Sequence, residues 1–196
     1  MNSLSQEIAA TAARMVVEEG LEYGMAKRRA VKQMGLSPRT ALPSNDVVED
    51  AVRDYIEVFY ADTQPTELAA LRQLAVVWMD RLAEFRPHLS GSVWRGTATA
   101  LSDIYLQLFC DDSKSAEISL IDHNVRYEVS TVQGFQGEAV DALSILSSCP
   151  GLSQKVLVHL MIYDLDDLRG ALKPDGQGRT YRGDLAALNK LMKEFE

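Results

Sequence analysis

The hydrophobic spacing of this chain changes at Pro87, and that change constrains the fold more than any other feature of the sequence. Before it, apolar residues recur every three or four positions, as on one face of a helix. After it they alternate or run in short blocks, as on strands. Ser3 and Gln6 stand at capping-box spacing, and Ile8, Ala12, Met15 and Val16 make one apolar face before Gly20. A second helix is expected from Leu21 toward Gly35, with Tyr23, Ala26, Ala30 and Met34 on its stripe. Lys27, Arg28, Arg29 and Lys32 lie on its other side and read as a solvated face. Pro38 and Pro43 mark a loop. A third helix is expected to start near Asp46, with Glu49 three residues on, and to bury Val48, Val52, Tyr55, Ile56 and Phe59. Pro65 suits the first turn of a fourth, lined by Leu68, Leu71, Ala75, Trp78, Leu82 and Phe85.

Beyond Pro87 the expected strands are His88 to Ser92, Ile104 to Phe109, Val125 to Val132, the apolar run AVDALSIL after the turn GFQG, and Lys155 to Tyr163. AVDALSIL reads as a nearly continuous buried strand. Ser113 to Asp122 and Asp166 to Leu172 read as short helices, PDGQGR as a turn, and Leu185, Leu188, Met192 and Phe195 as the face of a terminal helix. Helices first and a strand-rich remainder argue for an α+β fold, with a helical region over 1–64 and an α+β domain over 65–196.

Composition narrows the function. A net charge of -8 on 196 residues is the wrong sign for coating nucleic acid through phosphate contacts. The start MNSLSQEIAATAARM lacks the basic and apolar segments of a secretory signal, and VLVHLMIY is too short to cross a bilayer. Cys110 and Cys149 form neither a disulfide framework nor a metal spacing, so a reduced, cytoplasmic setting is expected, with both thiols packed as core residues. His88, His123 and His159 have no ligand spacing, and His159 reads as a core histidine. Trp78 belongs to a helix core, while Trp94 follows the Gly-Ser pair and reads as a packing residue.

The stretch GSVWRGTATALSDIYLQLF, Gly91 to Phe109, carries the chemistry. A Gly-Ser pair ends a strand, a polar loop follows, and Asp103 opens the next strand. This pattern resembles the nucleotidyltransferase superfamily of DNA polymerase β, poly(A) polymerases and the small bacterial aminoglycoside nucleotidyltransferases. The chain as a whole looks like bacterial proteins classed loosely as nucleotidyltransferase-like. The signature covers Gly91 to Leu108, the likeness extends to about Asp164, and the helices before Pro65 lie outside it. It implies a mixed sheet with flanking helices, a triphosphate held near Gly91, Ser92 and Arg95, and Mg²⁺ held by Asp-x-Asp or Asp-x-Glu with a third acid on a later strand.

The second acidic position is Tyr105 here. Residues two apart on a strand share a face, so Asp103, Tyr105 and Gln107 point one way and Ile104, Leu106 and Leu108 the other. A neutral phenol offers Mg²⁺ little, and it fills space that a metal would need. Asp141, set in an apolar run where a bare charge is expensive, is the expected third acid, with Glu128 as the alternative. The resemblance therefore implies a degenerate nucleotidyltransferase that binds Mg²⁺ weakly or not at all. Such a protein acts by holding a nucleotide or phosphate, or a protein partner through its N-terminal helices. An active Mg²⁺-dependent enzyme, with Asp103 and Asp141 on the metal, and a purely structural protein with a filled pocket are the alternatives.

Overall fold

Apolar spacing and terminal signals set the first helices: α1 (Ser3–Glu19), α2 (Tyr23–Gln33), α3 (Asn45–Phe59) and α4 (Gln64–Arg81). The computed structural model describes residues 3–174 and 178–194. The chain divides into two compact units. One runs to Glu67 and adds Thr97–Leu101; the other comprises Leu68–Gly96 and the chain from Ser102 onward.

In the first unit, Ile8, Ala12 and Met15 of α1 pack with Ala26 and Ala30 of α2 and with Val48, Val52 and Ile56 of α3. The alanines let helix backbones approach closely, so little volume is left between them. Gly20 ends α1 with φ +68°, and a Cβ there would lie 3.2 Å from the Leu101 side chain and carbonyl, so both conformation and space require glycine. Two bonds tie the Thr97–Leu101 segment down: Gln64 Nε2 donates to the Ala98 carbonyl at 2.7 Å, and the Ala100 N–H donates to Glu67 Oε2 at 2.8 Å. On α2, Lys27 donates to Asn45 Oδ1 at 2.8 Å and Arg29 pairs with Glu19 at 2.5 Å.

Two expectations for α3 are corrected. Its N-cap is Ser44, ahead of the expected start at Asp46, with its hydroxyl accepting from the Val47 N–H, and Glu49 is buried and pairs with Arg53 at 2.8 Å. Phe59 is 65% exposed, since Ile56 is the last covered position on the stripe; its ring leans on Tyr55, with centroids 4.6 Å apart.

The second unit continues with β1 (His88–Ser90), α5 (Gly91–Arg95), β2 (Ile104–Cys110), α6 (Ser115–Asp122), β3 (Glu128–Gln133), β4 (Ala139–Ser148) and β5 (Lys155–Asp164). A 3₁₀ turn, Leu165–Asp167, leads to α7 (Leu168–Ala171), then β6 (Arg182–Gly183) and α8 (Leu185–Lys193). The sheet order is β3-β4-β5-β2-β1-β6; β2 and β5 are parallel and every other pair is antiparallel. The fold is α+β around a mixed sheet. The stretch after the Gly-Ser pair, expected as loop, is helical in α5, and β6 is too short to announce itself by periodicity. The centre of the expected PDGQGR turn, residues 175–177, and Phe195 lie outside the described residues.

Residues paired across a ladder share a face. Ile104, Leu106 and Leu108 therefore lie with Val158, Leu160 and Ile162 and with Leu143 and Ile145. α4 covers this apolar face, where Trp78 Nε1 donates to Ser147 Oγ at 3.2 Å. The other face carries Tyr105, Gln107 and Phe109 of β2 beside His159, Met161 and Tyr163 of β5. Phe135, from the β3–β4 turn, folds onto Tyr163, and Arg182 lies over its ring. β4 is buried at Val140, Ala142, Leu143 and Ile145 but not throughout, with Leu146 at 58% exposure. Cys110 and Cys149 are buried free thiols, and no helix among the described residues is long and apolar enough to cross a membrane.

His88 begins β1 in a buried position. Its Nδ1–H donates to the Arg86 carbonyl at 2.8 Å, and its ring meets Phe109 edge-on at 5.4 Å. It borders an apolar groove of about 410 Å³ lined by Met79, Pro87, Leu168, Leu172 and Leu185. Burial holds the imidazole pKa below its ordinary 6.5; the Arg86 carbonyl and the Asp184 charge oppose that shift, and Arg182 adds to it. The unfolded chain thus takes up this proton more readily than the folded one. Stability falls as pH drops below about 6.5, and this contribution levels off once the folded-state pKa is passed. His88→Phe should flatten that slope, as measured by urea unfolding between neutral pH and pH 5, while the slope of the unaltered protein persists.

Candidate functional site

The site is built where β1 turns into α5 and where β2 begins. Gly91 takes φ +72°, and its Cα faces the Tyr105 ring, where an added Cβ would lie 3.4 Å from Cδ2. Ser90 Oγ donates to the Tyr105 carbonyl at 3.4 Å, which ties the end of β1 to the same point of β2. The short α5 is held from α4: the buried Arg72 donates to the Val93 carbonyl at 3.2 Å and the Trp94 carbonyl at 3.4 Å, taking up acceptors left open at the helix end. Ser92 and Arg95 sit half-buried on α5. Trp94 packs: its Nε1–H donates to the Thr180 carbonyl at 2.8 Å, and a Cβ on Gly183 would collide with its ring.

Asp103 meets His159, a residue expected from the sequence to lie in the core. The parallel β2–β5 register pairs Tyr105 with His159. His159 Nε2 lies 3.2 Å from Asp103 Oδ2, its Nδ1 lies 2.8 Å from Ser144 Oγ on β4, and its ring stacks on Tyr105 with centroids 4.8 Å apart at 27°. The carboxylate accepts only, so Nε2 carries the imidazole proton in the neutral ring. Nδ1 is then bare and accepts from the Ser144 hydroxyl. Side-chain exposures of 18% for His159 and 37% for Asp103 leave the pair reachable from solvent.

The expected third acid is elsewhere. The β3–β4 and β4–β5 registers put Asp141 beside Thr131 and next to Ala142, which pairs with Met161, so Asp141 points to the face opposite Asp103. It lies near Lys114, whose pKa is pushed up by its hydrogen bond to Glu117 and by that carboxylate's charge, with Asp141 adding to the shift. Asp103 and Asp141 therefore do not form one metal site. Glu128 pairs with Ser144 and shares the face of Asp103, but β4 and β5 stand between β3 and β2, a distance of roughly 14 Å at ~4.8 Å per strand.

The residues present do not fit the two-ion site that the resemblance implies. Mg²⁺ asks for a near-octahedral oxygen shell built on carboxylates, whereas Asp103 brings one carboxylate, engaged by an imidazole, beside a stacked phenol. Among the described residues no group of three or more His, Cys, Asp or Glu is placed to hold a metal ion. His159 and Ser144 were the residues missed from sequence. A lone polar residue inside VLVHLMIY was the available signal, but only the β2–β5 pairing shows what it faces.

No family model matches the chain, and none of the curated proteins is detectably similar to it in sequence. Among solved structures it is similar to a cytoplasmic RNA terminal U-transferase, at 17% identity and a TM-score of 0.34 over 54% of this chain and 33% of that one. It is likewise similar to Cid1 in complex with the UTP analogue UMPNPP, at 16% identity and a TM-score of 0.35 over 58% of this chain and 36% of that one. The chain spans about a third of the length of these two structures.

Restoring a carboxylate at position 105 should not by itself restore a metal site, because His159 still holds Asp103. Tyr105→Asp is expected to leave Mn²⁺ affinity nearly unchanged. Tyr105→Asp with His159→Asp should raise it on the order of ten- to a hundredfold, read by calorimetry or by the paramagnetic resonance of free Mn²⁺. Equal affinity in the single and double variants would show that His159 is no obstacle.

Proposed function

We propose that this chain is a catalytically degenerate protein of the nucleotidyltransferase type, which holds a nucleotide or another phosphate compound near Gly91, Ser92 and Arg95 without transferring it. One observation carries the reading: the sole carboxylate at the head of β2 is bonded to His159, and the position expected to hold a second is a tyrosine stacked on that imidazole. Nucleotidyl transfer relies on clustered charge to neutralise the phosphates in the transition state. A phenol and an imidazole offer no pair of carboxylates to hold the metal ions that supply it. The Ser92 hydroxyl and the Arg95 guanidinium retain the chemistry needed to bind phosphate oxygens.

A second reading, a protein partner for the N-terminal helices, is favoured by the exposed end of α3, where Val58 is 70% and Phe59 65% exposed. If that end docks a second copy, sedimentation should show concentration-dependent association that Val58→Ser with Phe59→Ser abolishes.

The first reading is tested by titrating nucleoside triphosphates calorimetrically and by incubating the protein with labelled triphosphates, Mg²⁺ or Mn²⁺, and cell extract. Binding without transferred label is expected. Ser92→Ala and Arg95→Ala should weaken binding by on the order of tenfold each, the loss expected for a charge-assisted hydrogen bond. Metal-dependent labelling that disappears in Asp103→Ala would overturn the proposal in favour of an active enzyme acting on a small-molecule or protein hydroxyl.

A further inference from the structure

We infer that Ser144 is an activated nucleophile, with His159 as its general base and Asp103 as the group that fixes the base, and that it takes the acyl group of esters with an apolar acyl chain. The inference uses residues of the same face but does not depend on nucleotide binding.

The geometry supplies the parts in order. Ser144 Oγ lies 2.8 Å from His159 Nδ1, and His159 Nε2 lies 3.2 Å from Asp103 Oδ2. These are the distances of a hydroxyl–imidazole–carboxylate chain, and such a chain is recognised by geometry and role rather than by order in the sequence. Each residue comes from a different part of the sheet: β4 for Ser144, β5 for His159, and the entry to β2 for Asp103. The Tyr105 ring, stacked at 4.8 Å, buttresses the imidazole from the side. Because Asp103 accepts the Nε2 proton, the lone pair of Nδ1 points to the serine, which is the tautomer a general base requires.

The ground beside the serine is apolar. Leu146, two residues along β4 on the face of Ser144, is 58% exposed; it pairs with Leu157 of β5, 36% exposed and two residues from His159. An acyl chain laid over these leucines would bring its carbonyl carbon to Ser144.

In the step, Ser144 Oγ bonds to the ester carbonyl carbon while its proton passes to His159 Nδ1. The ester C–O bond breaks, and the alcohol leaves with that proton. Water then attacks the acyl-serine, giving one proton to His159, and the carboxylic acid leaves as Ser144 regains a proton from the imidazole. No donors are assigned to the carbonyl oxygen, where each such donor contributes roughly 10²–10³ in rate. Slow acylation is therefore expected rather than rapid turnover.

The test uses the full chain with an alkyl fluorophosphonate, which phosphonylates an activated serine and releases fluoride, and with p-nitrophenyl butyrate. Mass spectrometry should place the phosphonyl group on Ser144 and not on Ser147, the next serine along β4, which faces the other side. Ser144→Ala, which removes only one oxygen, should abolish labelling, and His159→Gln should slow it about a hundredfold or more. Asp103→Asn is judged by a spectroscopic readout as well. Long-range proton–nitrogen spectra should show His159 protonated at Nε2 in the unaltered protein, and a changed tautomer in Asp103→Asn with the remaining folded spectrum retained. No label on Ser144, labelling indifferent to His159→Gln in a folded variant, or a His159 proton on Nδ1 in the unaltered protein would each overturn the inference.

Discussion

The parallel ladder between β2 and β5 is the constraint on which the site depends. Asp103, Tyr105 and His159 come from segments more than fifty positions apart in the chain, and they meet only because Ile104 pairs with Val158 and Tyr105 with His159. A slip of one residue would turn His159 to the apolar face, against Leu106 and Leu108, push Leu160 to the polar one, and leave Asp103 without its imidazole. The register is fixed by that same apolar face. Ile104, Leu106, Leu108, Val158 and Leu160 are all buried, so any slip would expose aliphatic side chains that the ladder now shields from water. Packing on one face thus dictates the chemistry on the other.

The polar face is divided along its length. At the far end of β2, Phe109, Val140 and Tyr163 form a small apolar cluster with Phe135 folded onto it, and Arg182 lies over the phenylalanine. At the near end, Asp103, His159 and Ser144 satisfy one another in a chain of hydrogen bonds, and Leu146 and Leu157 stay exposed beside them. Mutual bonding holds these groups without burying them, so their geometry is set in advance while the face stays accessible. A carboxylate cluster at the same place would repel itself and need a cation; the present set needs none.

The organisation of the fold was legible because it follows local rules. The change of period at Pro87, the helices before it and the strands from Ile104 onward are imposed by side-chain spacing. The short α5 and the two-residue β6 were not, since neither is long enough to show a period, and α5 is held by the distant Arg72. Phe59 illustrates a different limit: an apolar stripe states which side of a helix is to be buried, not how far along the helix the cover extends.

The site itself shows why parity matters more than composition. Asp141 is a charge in an apolar strand, but it stands three residues from Ser144, and an odd separation puts two residues on opposite faces. Only one of them can look toward Asp103, and the antiparallel pairing of Ser144 with His159 selects the serine. On the other face Asp141 is half-buried, with Lys114 near it. His159 is obscured for a related reason, since a single polar residue among aliphatics looks like core until the neighbouring strand is known. The strand VLVHLMIY presents Val156, Val158 and Leu160 to the apolar face and His159 to the polar one. Its apolar composition therefore reflects one buried face and a second that is only partly covered, and a histidine fits that second face without the penalty of burial in a dry core.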